Sequence, residues 1–239
     1  MQDSEFNVGV IHPIECVKEG FALIKSDYWL LLAISLVGAM IGGVTLMIAS
    51  GAMTCGTYYA YLRKIDGGDA RFDDLWKGMQ WFGPGLALMV IIILPIIAIY
   101  SIIFVPFLLS ASMGGRLSQE ELMGLLIGSF VVEVVLAFVM VCLQTLLIFA
   151  FPLIVDRNLG VFEAIRLSSR AVLRNLGGVA GLIFVNIGLM IAGYLALCIG
   201  IYFVIPIVIA GNVVAYRKIF PKPLDRSHEP PPVSAYGGG

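Results

Sequence analysis

Glu133 carries the sharpest chemical meaning in this chain. It is the one ionisable carboxyl in the run 130–144 (FVVEVVLAFVMVCLQ). It stands about twelve residues inside its apolar segment, hence roughly 18 Å deep and near the midplane of a bilayer. An ionisable group there costs about 3 kcal/mol or more unless it is paired or protonated, which makes it a functional candidate by default. Two readings stand. One is a proton- or cation-binding role. The other is a neutral glutamic acid hydrogen-bonded to a neighbouring helix, for example to Asn186 or Tyr194.

Gln144 and Asn186 are the other intramembrane polar candidates. Their amides can join helices, a glue worth about 0.6 kcal/mol on average. Arg166, Arg170 and Arg174 follow one another at i+4 spacing. They are candidates for contact with anionic lipid headgroups, each charge being worth about 1 kcal/mol near such a surface. The alternative is that they only orient the chain. Gly67-Gly68-Asp69 lacks the Lys-Ser/Thr and the preceding strand of a phosphate loop, so it reads as a turn. Asp66, Asp69, Asp73 and Asp74 read as solvated loop acids rather than a divalent-ion site. Pro230-Pro231-Pro232 is either a polyproline ligand or a passive tail. Tyr58, Tyr59 and Tyr61 read as interfacial anchors.

The sequence holds no H-E-x-x-H, no G-x-S-x-G, no Cys/His pair and no intramembrane aspartate pair. Cys16, Cys55, Cys142 and Cys198 are widely spaced, and three of them lie in apolar runs, as small core residues do. No metal and no cofactor is expected. An enzyme is not expected either, since a lipid-acting one would need a polar cavity that the sequence does not display.

The elements that must position these groups are membrane helices. The stretch 86–110 (LALMVIIILPIIAIYSIIFVPFLLS) is free of charge and long enough to cross a hydrocarbon core. In lipid such a backbone must satisfy itself, so it is a helix. The chain of 239 residues is 59% hydrophobic and 13% charged, and a soluble domain would carry about twice that share of charge. A net charge of −1 gives no basic field for nucleic acid. The first 27 residues are polar and mixed in charge, so no removable signal peptide is expected.

The fold class read from this pattern is all-α: an integral membrane bundle of about six transmembrane helices in three hairpins, with cytoplasmic amphipathic helices. Residues 1–12 form a polar lead and 13–220 a single transmembrane domain. The spans are placed at 29–41, 44–62, 85–110, 119–151, 177–197 and 200–218. Amphipathic helices are placed at 14–28, 73–82 and 161–175. In 73–82 the lining face is Phe72, Leu75, Trp76, Met79 and Phe82. In 161–175 Phe162, Ile165, Ala171 and Val172 lie opposite the arginines. Gly42-Gly43 is read as the break that makes 29–62 a hairpin, the alternative being one long tilted helix. Gly38 and Gly42 form a small-xxx-small pair open to helix contact. Pro95 and Pro106 should kink the third span and Pro206 the sixth. Ser118 and Glu121 form a capping box at the start of the fourth. The Pro/Gly-rich residues 221–239 are expected to be a disordered tail.

Six spans place fourteen of the fifteen Lys and Arg residues on one side and leave Arg116 across the membrane. Both termini are then cytoplasmic, by the positive-inside bias. The first and last thirds also look alike. Each has an amphipathic helix, a hairpin and a basic exit, with Gly56-x-x-x-Ala60-Tyr61 echoed by Gly211-x-x-x-Ala215-Tyr216. Either this is a same-orientation repeat about the membrane normal, or two hairpins rich in small residues resemble each other by chance.

Two stretches carry a family resemblance. One is G-x-Y-Y-x-Y-L-R-K-x-x-G-G-D-x-x-F-D-D-L-W-K-G from Gly56 to Gly78. The other is F-P-L-I-V-D-R-N-L-G-V-F-E-A-I-R-L-S from Phe151 to Ser168, followed by a hairpin ending in Ala215-Tyr216-Arg217. Together they resemble a broad group of poorly characterised bacterial multi-pass membrane proteins, which includes the membrane domain fused to some glycerophosphoryl diester phosphodiesterases. The resemblance implies an α-helical cell inner-membrane protein of about six helices and supplies no catalytic residues. The expected function is that of a non-enzymatic accessory or scaffold. Its partners would be membrane lipids, a protein, or a second copy held through small-residue helix faces, and not nucleic acid. The alternative is a small transporter or channel using Glu133.

Overall fold

The apolar runs become helices because a backbone in lipid has no other hydrogen-bond partner. The computed structural model describes residues 6–112, 118–196 and 199–222, and these hold helices and no strand. The helices are α1 (Pro13–Ile24), α2 (Tyr28–Val44), α3 (Ser50–Ile65), α4 (Asp74–Lys77), α5 (Phe82–Ser112), α6 (Gln119–Leu146), α7 (Ala150–Arg157), α8 (Val161–Arg174), α9 (Leu176–Leu195) and α10 (Gly200–Ile219). Single 3₁₀ turns join α1 to α2 and α4 to α5. Cys198, Arg116, the Leu197–Cys198 part of the last hairpin turn and the tail from residue 223 lie outside the described residues.

Five segments are long and apolar enough to cross a membrane: Pro13–Val44, Asp74–Ser101, Ile127–Arg157, Leu176–Leu195 and Gly200–Ile219. The described residues are therefore all-α, with five candidate spans among them. The segment expected as a sixth, 44–62, is the shorter helix α3. Its 16 residues reach only about 24 Å at 1.5 Å per residue.

The first hairpin forms, but its turn falls at residues 45–49 rather than at Gly42-Gly43. Gly42 stays helical because it faces the partner arm: a Cβ there would lie 3.1 Å from Ser50. The Thr45 hydroxyl donates to the Ile41 and Gly42 carbonyls and accepts the Ala49 N–H, which closes the helix end. Leu46 and Met47 turn the chain with positive φ of 49° and 70°.

The span expected at 119–151 divides. Helix α6 stops at Leu146 and α7 resumes at Ala150. Pro152 lies in the first turn of α7, where its missing N–H costs nothing. The break is closed from α8, where the buried Ser168 hydroxyl donates to the Leu146 carbonyl and accepts the Phe149 N–H.

The polar lead is not free. Phe6 and Ile11 are buried, and Asn7 bonds through its N–H to the Ile219 carbonyl and through its side chain to the Lys218 carbonyl. Asn175, at the α8–α9 junction, accepts the Gly9 N–H and donates to the Asn7 carbonyl.

The contacts between helices repeat three times. Each unit is a short leading helix that runs into an outer span and returns through an inner one. The leading helix packs on the inner helix of the preceding unit: α1 on α10, α4 with its 3₁₀ turn on α3, and α8 on α7. The contact residues correspond. Gly20 lies on the Ala210–Gly211 backbone, Gly78 on Ala52 and Gly56, and Ser168 on Leu146 and Phe149. Four residues earlier stand Cys16, Asp74 and Ala164, all fully buried. On the inner helices Ala60, Ala150 and Ala215 are fully buried and are followed by the buried aromatics Tyr61, Phe151 and Tyr216. The likeness of the first and last thirds thus extends to the middle. The inner helices α3, α7 and α10 meet at the centre, with Tyr58 stacked on Phe151 and Phe149 against Tyr216.

Candidate functional site

The three inner helices end together in an ionic cluster. The Arg217 guanidinium forks two carboxylates. Its Nε and Nη2 donate to Asp66 at 2.8 and 2.7 Å, and its Nη1 and Nη2 donate to Asp156 at 2.7 and 2.6 Å. The Tyr216 hydroxyl donates to Asp156 at 2.8 Å. Asp66 directly follows α3, Asp156 ends α7 and Arg217 ends α10, so one side chain ties all three returns together. A cavity of about 380 Å³ lies against the cluster, walled by Tyr59, Leu62, Arg63, Gly68, Val155 and Lys222 among others. Its acids are already partnered by arginine, so it has the chemistry of a structural clamp. Among the described residues no group of three or more His, Cys, Asp or Glu side chains is placed to hold a metal ion.

Other charges on this side are paired as well. Asp74 is fully buried, binds Arg63 at 3.0 Å and Lys77 at 3.1 Å, and accepts the Arg71 N–H. Lys64 pairs with Asp27, and Lys218 with Glu19. Asp66 and Asp74 are therefore ion-pair acids rather than solvated loop acids.

Glu133 is placed differently. It is exposed on α6, in a groove of about 240 Å³ between α5 and α6. Tyr100 and Gln144 share the groove, and Ile96, Ile99, Leu136 and Met140 are among its apolar walls. The side chains of Tyr100, Glu133 and Gln144 make no hydrogen bond or ion pair with any described residue. Neither expected partner meets Glu133: Asn186 donates to Asn212 across α9 and α10 at 2.8 Å, and Tyr194 is 60% exposed. Asn186 is thus interhelical glue, with its own Oδ1 buried and unpartnered among the described residues. Gln144 joins no helices. Other polar side chains in the spans turn inward onto backbone: Ser101 to Ile97, Thr145 to Val141, and Ser35 to Leu31.

Arg166, Arg170 and Arg174 are exposed on one side of α8. Phe162 does not lie opposite them. It is 81% exposed on the same side, with Leu173 at 62%. The buried side is Ala164, Ser168, Ala171 and Val172, because only small or slim residues fit against α7. The helix at 73–82 differs in the same way. Trp76, Met79 and Phe72 point outward, while Asp74, Leu75 and Gly78 face α3. A Cβ on Gly56 would lie 2.0 Å from the Leu75 carbonyl oxygen, so the approach is backbone to backbone. Tyr61 is no interfacial anchor either. It is fully buried, its hydroxyl 3.0 Å from Ser35 Oγ.

Sequence reasoning missed the Arg217 clamp, whose partners are 151 and 61 residues distant. The available signal was that α3, α7 and α10 each carry an arginine in the last turn, with an acid close by at the ends of α3 and α7. No family model matches this chain, and no curated protein or solved structure matches it either.

Proposed function

We propose that this chain is a non-enzymatic accessory protein of the bacterial inner membrane that holds a partner helix in the bilayer against the α5–α6 hairpin. The observation that carries the reading is the groove in which Tyr100, Glu133 and Gln144 present three unpartnered polar heads between apolar walls. A carboxyl facing lipid is costly, so a partner that supplies a donor there is held by the cost of leaving it. The hairpin is also the longest, with α5 at 31 residues and α6 at 28, about 46 and 42 Å. A hydrocarbon core is about 30 Å thick. Nearly every residue of α6 from 130 to 144 is exposed, which leaves room for a neighbour.

Six crossings with both termini cytoplasmic belong to the same reading. The clamp brings the ends of α3, α7 and α10 to one place, and the N-terminal strap reaches the same end through Asn7 and Ile219. Each hairpin then leaves and returns on one side, and α3 serves as a short sixth crossing in a locally thinned bilayer. The transporter alternative would need Glu133 on a water path through the bundle, whereas Glu133 is exposed in a groove formed by α5 and α6 alone.

A photocrosslinker at Leu136 or Met140 in intact membranes tests the reading. A discrete protein adduct is expected, lost or weakened at least tenfold by Glu133→Gln in a protein of unchanged thermal midpoint. An adduct pattern of lipid alone would contradict it. So would cation or proton flux in vesicles that Glu133→Gln abolishes, which would move Glu133 to transport.

A further inference from the structure

The three leading helices occupy corresponding positions, yet their exposed charges differ. Lys18 in α1 and Lys25 in the 3₁₀ turn after it are also without an ion pair among the described residues, but they alternate along the chain with Glu15 and Glu19, and Glu19 is paired with Lys218. In α4 Lys77 is paired with Asp74. On α8 Arg166, Arg170 and Arg174 meet no carboxylate among the described residues, and Glu163, the one acid of that helix, meets no cation among them. A bias that merely keeps cations on one side of a membrane does not require them to be unpaired, nor concentrated on one helix of three.

The same face carries apolar side chains that nothing in the fold covers. At 3.6 residues per turn, Phe162, Leu173, Arg166, Arg170 and Arg174 fall in that order within an arc of about 120°, with Glu163 between Arg170 and Arg174 and two net positive charges left on the face. The apolar pair thus forms one edge and the arginines the other. This is the division of an interfacial helix, whose apolar edge enters the acyl boundary while its cations meet the headgroups. The position fits. Arg174 stands two residues before α9, a candidate span that begins at Leu176, and Asn175 breaks the helix between them with φ −117°. Arg174 also lies over the Phe6 ring at 5.7 Å, a contact that steadies the guanidinium without neutralising it.

We infer that α8 is a binding helix for anionic phospholipid. Phe162 and Leu173 insert among the acyl chains, and Arg166, Arg170 and Arg174 grip the phosphodiester headgroups. Guanidinium suits this role because its planar donors match phosphate oxygens in pairs. The inference is independent of the α5–α6 groove, because Glu133 takes no part in it.

The full chain, reconstituted in mixed phosphatidylglycerol and phosphatidylcholine vesicles and released in mild detergent, tests it by native mass spectrometry of retained lipid. The wild type should keep phosphatidylglycerol preferentially, and the preference should fall with rising salt. The triple variant R166Q/R170Q/R174Q should lose at least tenfold of that preference, and each single variant about fivefold at low salt. F162S/L173S should lower retention of both lipids. E133Q should retain the wild-type pattern. Arg166 and Arg170 are exposed and unpaired, so R166Q and R170Q should not move the thermal midpoint, and these single variants carry the test if the triple one, which also loses the Arg174–Phe6 contact, does not fold. An unchanged preference in the arginine variants would overturn the proposal. So would displacement of the lipid by soluble glycerophosphoglycerol, which would mark a headgroup pocket without insertion.

Discussion

Arg217 shows how much one side chain decides here. It is 12% exposed and pairs with two carboxylates that are themselves 18% and 12% exposed, with Lys222 3.9 Å from Asp66 as the second cation. Removing it would leave Asp66 and Asp156 facing each other with poor access to water. Breaking such a pair from one side costs about 3 kcal/mol or more. Arg217→Ala is therefore expected to lower the thermal midpoint in detergent strongly. Arg217→Lys should lie between, because an ammonium keeps the charge but cannot fork two carboxylates at once. Equal midpoints for wild type and Arg217→Ala would show that the clamp is unimportant. At this scale the sequence was partly legible. Glu133 stands out because a lone acid in an apolar run is costly wherever it points. Arg217 does not, because its cost and its relief depend on partners set by the returns of three separate hairpins.

Among elements, the hairpins were legible and their faces were not. An uncharged run of some forty residues cannot stay one helix within a bilayer, so α9 and α10 could be read from length alone. The packing faces followed another rule. At 73–82 apolarity puts Trp76 and Met79 on one face with Leu75, and at 161–175 it puts Phe162 opposite the arginines. The structure buries Gly78 and Ser168 instead, because the helices approach along backbone and the bulky side chains go outward. Gly42 was misread for the same reason, being a contact glycine rather than a breaker. Gly56 and Gly78 share the closest of these approaches, each with a backbone oxygen 2.0 Å from where a Cβ would stand. Gly56→Ala should push α4 off α3 and destabilise by about 2–3 kcal/mol, as overpacking does, and would register as a lower unfolding midpoint. Gly43→Ala, where nothing lies within 4 Å, should leave the midpoint unchanged or slightly raised. Equal losses at both positions would refute the packing argument.

For the whole molecule, the threefold contact pattern and the clamp agree on one geometry. Three hairpins leave a common end and return to it, with α3, α7 and α10 inside and α2, α5 and α9 outside. The side chosen by Lys and Arg in the sequence is the end where the clamp sits. What the sequence left open was whether α3 completes a crossing, since at 16 residues it falls short of an ordinary span. The direct measurement is the sidedness of reporters fused after Lys64, Arg157 and Lys218 in the intact bacterial membrane. The account predicts all three on the cytoplasmic face. A reporter at any of them on the outer face, the one after Lys64 above all, would contradict it.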